Sequence, residues 1–140
     1  AVGAVGDDEG GTDRGAVWIL SLAANGTVNN VQKVSDTSGD FIGTLQDGDF
    51  FGSSIAGIGD LDADGIEDIA VGAIGDDDGG TDRGAVWILF LHPDGTVKAE
   101  SSITEGSGGF AFRLFRGPDG RRYLMLGDRA FLNERDRVGG

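Results

Sequence analysis

Five carboxylates, Asp60, Asp62, Asp64, Glu67 and Asp68, stand within nine residues of the stretch "GDLDADGIEDIAVGA" (59–73), with no basic residue among them. Unit charges about 5 Å apart at an effective dielectric of about 20 repel by about 3 kcal/mol per pair. A fold that gathers them needs a compensating cation. The spacing D-x-D-x-D-G-x-x-D suits calcium, which takes about six to eight hard oxygen ligands at about 2.3–2.6 Å. Asp60, Asp62 and Asp64, at loop positions 1, 3 and 5, converge if the chain coils around an ion. Gly65 permits the sharp turn, the Ile66 carbonyl at position 7 then points inward, and Asp68 at position 9 closes the shell. Glu67 reads as solvated, and Leu61 and Ile66 as apolar side chains packed back onto the fold. An EF-hand would need a bidentate Glu at position 12 and flanking helices. Position 12 here is Val71, inside a strand pattern, so the loop belongs to a hairpin. The competing reading is an acidic, solvated turn that holds no ion.

The elements around this loop are repetitive. "AVGAVGDDEGGTDRGAVWIL" (1–20) returns as "AVGAIGDDDGGTDRGAVWIL" (70–89), identical at 18 of 20 positions and offset by 69 residues. The offset carries "NGTV" (25–28) onto "DGTV" (94–97) and "SGDF" (38–41) onto "SGGF" (107–110). Such self-similarity is the mark of a repeat architecture. Within one unit, "FGSSIAGIG" (51–59), "DIAVGAI" (68–74) and "GAVWILFL" (84–91) are short runs of small and apolar residues, and "TVKAESSI" (96–103) alternates like an outer strand. The runs are strand-length, and "NG" (25–26) and "PDG" (93–95) are hairpin turns, so the unit reads as four antiparallel strands. Strands apolar on both faces must be covered on both faces. Radial stacking of four-stranded sheets does this, so the fold class is all-β, built of β-propeller blades. A β-solenoid and a tandem sandwich array are the competing folds. In an up-and-down sheet the acidic loop and "HPDG" (92–95) share one end, while "GDDDGGTDRG" (75–84) and the connection 36–49 emerge at the other.

The stretch "FGSSIAGIGDLDADGIEDIAVGA" resembles an FG-GAP repeat of the kind that builds the propeller of integrin alpha subunits. Phe51-Gly52 match the "FG" and Gly72-Ala73 the start of "GAP"; Ile74, and Val5 in the earlier copy, stand where the family has proline. The resemblance implies that Asp60, Asp62, Asp64, Ile66 (by its carbonyl) and Asp68 hold calcium, which steadies the hairpin on the face away from the ligand-binding loops. It implies a non-enzymatic adhesion or ligand-binding module of a secreted or cell-surface protein. The expected organisation is three strands of one blade (1–36), an inter-blade connection (37–49), a complete blade (50–107) and a degenerate or aberrant continuation (108–140). The alternatives are a non-catalytic accessory propeller of a secreted hydrolase and a structural spacer. The expected partners are calcium, the remaining blades of a longer chain, and a protein or carbohydrate ligand.

A second acidic cluster, Asp76, Asp77, Asp78 and Asp82 with Thr81 and Arg83, lacks the calcium spacing and reads as a solvated loop, or else as part of a ligand face. Asp7, Asp8, Glu9 and Asp13 are its earlier copy, and Arg14 and Arg83 are expected to pair with a nearby aspartate. Trp18 and Trp87 share a repeat position and suit packing between blades. Asn25-Gly26-Thr27 fits a glycosylation sequon, yet its counterpart Asp94-Gly95-Thr96 shows that the turn alone explains it. The one histidine, His92, and the lack of cysteine leave no nucleophilic constellation. Net charge of −13 argues against nucleic acid, and no apolar run approaches the length of a membrane span. Residues 1–110 carry 20 acidic and 4 basic side chains, whereas 111–140 carry 4 acidic and 7 basic. "FRLFRGPDGRRYLMLGD" (112–128) is expected to form a hairpin around Pro118-Asp119-Gly120, either as a degenerate blade or as an out-of-frame end.

Overall fold

The computed structural model describes residues 1–108, 112–126 and 129–132, all in strands, turns and loops. Three strands, β1 (Val2–Ala4), β2 (Ala16–Leu22) and β3 (Val28–Val34), form an antiparallel sheet in that order. A second, four-stranded antiparallel sheet follows: β4 (Phe51–Gly59), β5 (Asp68–Ala73), β6 (Ala85–Leu91) and β7 (Val97–Ile103). Each strand pairs with the next in sequence, the meander of a propeller blade. β5 is buried along its length except at Ala70, as expected of a strand covered on both faces. β7 keeps Val97 inside and turns Lys98, Ala99 and Ser101 out, as an outer strand should.

The core lies between the two sheets. Phe51, Leu45, Leu89, Val17, Val34 and Val71 are among its fully buried side chains. Phe41, from the connection between sheets, stacks its ring 5.2 Å from Phe51 and 5.1 Å from Trp87. Trp87 is therefore an inter-sheet packing residue, whereas Trp18 is half-buried with the Lys33 ammonium 5.6 Å from its ring centre. The sheets also meet main chain to main chain. A Cβ at Gly3 would lie 2.0 Å from the Gly52 carbonyl oxygen, and one at Gly15 would lie 2.1 Å from that of Phe51. Gly52 has φ of +91°, which a side chain resists on conformational grounds alone. These contacts explain why the "FG" dipeptide is both large and small: Phe51 fills the core and Gly52 lets the neighbouring sheet approach.

The connection 36–50 is stitched to the loop that joins β1 and β2. Gly48 N–H donates to the Thr12 carbonyl (3.0 Å), Phe50 N–H to that of Asp13 (3.1 Å) and Phe51 N–H to that of Arg14 (2.9 Å). Beyond the repeat, β8 (Phe112–Arg116), β9 (Arg122–Leu126) and β10 (Arg129–Leu132) form a third antiparallel sheet. Its first hairpin turns at Pro118-Asp119-Gly120, with Gly117 N–H donating to the Arg121 carbonyl (2.8 Å). At the 69-residue offset β8 falls on 43–47, which holds no strand, whereas β9 falls on 53–57, within β4. Gly127 and Asp128, and most of "RAFLNERDR" (129–137), lie outside the described residues. Among the described residues no helix is long and apolar enough to cross a membrane.

Candidate metal centre and the opposite loops

The acidic loop spans the turn between β4 and β5, and its own backbone organises it. Asp60 accepts the N–H groups of Asp64 (2.9 Å) and Gly65 (2.7 Å), one on each carboxylate oxygen. Asp64 accepts the Ile66 N–H (2.8 Å). Asp68, fully buried at the start of β5, accepts the Leu61 N–H on one oxygen (2.8 Å) and the Leu91 N–H on the other (3.2 Å). It thereby ties the far end of the loop to the end of β6. Asp60, Asp62 and Asp68 each bring a carboxylate oxygen within 4.8 Å of the others. Each oxygen that accepts one N–H retains a second lone pair, so this trio suits a hard divalent cation.

Two sequence expectations are refined here. Ile66 packs against the core as expected, but Leu61 is 60% exposed, because its backbone rather than its side chain is what engages Asp68. Asp64 is turned toward a cation that the motif did not indicate. The Lys98 ammonium forms ion pairs with both Asp62 and Asp64. The two carboxylates raise the Lys98 pKa. Lys98, followed by the Ile66 N–H, holds the Asp64 carboxyl below its ordinary value. Lys98 comes from β7, where Leu91 pairs with Val97 and Phe90 with Ala99, leaving Lys98 as the extra residue of a bulge. Bulges re-aim side chains. Asn29 occupies the same bulge in the first sheet, between Val28 and Asn30. The clue available from sequence was scarcity, since residues 1–110 hold only 4 basic side chains.

The loop between β5 and β6 lies at the other end of the sheet. Its aspartates serve its own turns. Asp76 accepts the Asp78 N–H (2.9 Å) and Asp77 the Asp82 N–H (2.6 Å), as Asp7 does with Glu9 (3.0 Å) and Asp8 with Asp13 (2.8 Å) in the earlier copy. Thr81, Asp82 and Arg83 are exposed. Arg83 pairs with Glu105, and Arg14 with Asp36 (2.7 Å) and Asp47 (2.8 Å), so among the described residues the expected aspartate partner is found in the first copy. Residues 36 and 105 are repeat counterparts, which makes the tie between this loop and the end of the outer strand a property of the unit. Asn25 and Asp94 each accept both the N–H and the hydroxyl of the threonine two residues on, so the turn accounts for both positions.

The two copies differ in charge balance. In the first, Lys33 pairs with Asp7 (2.9 Å) and Glu9 (2.6 Å), and together with the Ser38 and Ser35 hydroxyls it lowers the Glu9 pKa to about 2. Ser102 stands where Lys33 would fall in the second copy. There Asp76 is buried, and burial, reinforced by Asp78 and Asp77, pushes its carboxyl up. Asp49, which the sequence did not flag, is also buried and pushed up, by burial and then by Asp76. A raised carboxyl contributes stability that is complete below the unfolded-state value, about 3.9, and is lost as pH rises through the folded-state value. Asp76→Asn, which keeps an acceptor for the Asp78 N–H, is therefore expected to raise the melting temperature at pH 7. The advantage over wild type should vanish on acidification below the unfolded-state value. A paired thermal-melt series across pH checks this, and an advantage that persists at low pH would contradict it.

Two antiparallel sheets, a buried Phe-Gly at the start of one and an aspartate loop after its first strand define a propeller-blade unit. Residues 51–89 match the FG-GAP repeat family. The chain is also 48% identical over 60 residues to integrin alpha-5 of Xenopus laevis, a match covering 42% of this chain and 5% of that protein. Residues 51–89 are thus an FG-GAP repeat of the integrin alpha type, and the chain spans a small part of the length of the relative it matches.

Proposed function

We propose that this chain is a calcium-stabilised FG-GAP propeller segment of a secreted or cell-surface protein, serving adhesion or ligand binding rather than catalysis. The observation that carries the metal assignment is the approach of Asp60, Asp62 and Asp68 to within 4.8 Å at the end of a hairpin. The donor set fits: all oxygen and anionic. Asp64 and the Ile66 carbonyl complete the proposed ligands. Bound calcium would supply charge neutralisation and cross-link the loop to β5. The chain's own residues do the rest, Asp68 fixing the loop to β6 and Ile66 seating it on the core. The loops at 75–84 and 36–49, at the far end from the metal, are the proposed face for a protein or carbohydrate ligand.

Extracellular calcium modules have dissociation constants of about 10⁻⁴–10⁻³ M. At millimolar calcium a site at the tight end adds about 1.4 kcal/mol. Calorimetric melts should therefore shift upward with calcium, and the joint substitution Asp62→Ala with Asp64→Ala should abolish the shift. A melt indifferent to calcium, or a shift that survives both substitutions, would overturn the assignment.

A further inference from the structure

We propose that Lys98 is a tethered counter-cation of the acidic loop, which calcium must displace in order to bind. The inference rests on the calcium reading above and concerns what that reading does not include: a basic side chain delivered into the site from another strand. Three observations carry it. Lys98 bridges two of the proposed ligands, Asp62 and Asp64, with its ammonium. It is the bulged residue of β7, so the sheet's own irregularity presents it at the loop end of the blade. All three side chains are only partly exposed, Lys98 at 32% and both aspartates at 27%.

The physical consequence is competition. Asp62 and Asp64 carry a repulsion that one positive charge relieves, and Lys98 supplies it at no translational cost because it is tethered to the same sheet. A divalent cation liganded by the same oxygens takes over that role, so the ammonium has to leave. Lys98 thus keeps the loop assembled when calcium is scarce and weakens calcium affinity when it is plentiful. Asn29, in the equivalent bulge of the first sheet, has no charge with which to do this.

Calcium titration calorimetry on the 140-residue chain tests the proposal, with wild type, Lys98→Met and Lys98→Arg compared. Lys98→Met should bind calcium about two- to fivefold more tightly, the range over which an exposed ion pair acts. Lys98→Arg, which keeps the charge, should bind no more tightly than wild type. Amine-reactive labelling read by mass spectrometry gives a second measure in the unmodified protein. Lys98, sequestered between carboxylates in chelator, should label faster at saturating calcium, while Lys33 on the other sheet keeps its rate. Unchanged or weaker calcium binding by Lys98→Met overturns the proposal and leaves the calcium site standing, as does a Lys98 labelling rate that calcium leaves alone while binding heat is present. Absence of binding heat from all three proteins overturns the calcium reading itself.

Discussion

Phe51→Ala is expected to cost about 3–5 kcal/mol, the range for truncating a fully enclosed aromatic side chain. The ring has no exposed surface, lies 5.2 Å from Phe41 and belongs to the cluster that joins the two sheets. A loss of that size is about a fifth or more of the stability of an ordinary domain. Urea denaturation followed by tryptophan fluorescence measures it directly, since Trp87 lies across Phe41 from the substituted site. Phe51→Leu, which refills part of the volume, should lose less than half as much. Equal losses for the two variants would show that the cavity is not the cause.

Asp68→Ala should have the second largest effect and should separate two roles of one side chain. Its carboxylate accepts two backbone N–H groups, from Leu61 and Leu91. Removing the acceptor leaves the Leu91 N–H stranded beside a buried residue, while the Leu61 N–H, in an exposed loop, regains water. At about 1–3 kcal/mol for an orphaned buried donor, the expected loss is about 1–3 kcal/mol when measured in chelator. Repeating the denaturation in millimolar calcium should show no further stabilisation of the variant, whereas wild type gains. A variant as stable as wild type in chelator would remove the structural role, and one that still responds to calcium would remove the ligand role.

Much of this architecture was written locally. The runs of small and apolar residues at 51–59, 68–74 and 84–91 and the alternating stretch 96–103 fall on the four strands of the second sheet, because strand-length runs bounded by turns are set within a few residues. The acidic loop was legible for the same reason: its ligand spacing, its glycine and its hairpin are set within nine residues. What escaped was everything decided by a distant strand. Lys98 reaches the loop only because β6 and β7 pair with a bulge, and a bulge leaves no mark in hydrophobic alternation. Asp49 and Asp76 look like two members of a solvated acidic surface until the connection 36–50 lays one against the other's loop, with Gly75 N–H donating to the Asp49 carbonyl (3.1 Å). Leu61 misled because an apolar residue beside a ligand suggests packing, and the loop uses its amide instead.

The glycine seam has a mechanical consequence. Where side chains meet, an interface yields under load by changing rotamer; a carbonyl oxygen against an α-carbon has no rotamer to change. Gly3, Gly15 and Gly52 bring the two sheets together in this second way. The joint is a hard stop, and the step from one sheet to the next is set by the dimensions of the main chain rather than by the choice of side chains. Substitutions along the strands can then drift without altering that pitch, so a ring assembled from such units keeps its circumference while its surface chemistry diversifies.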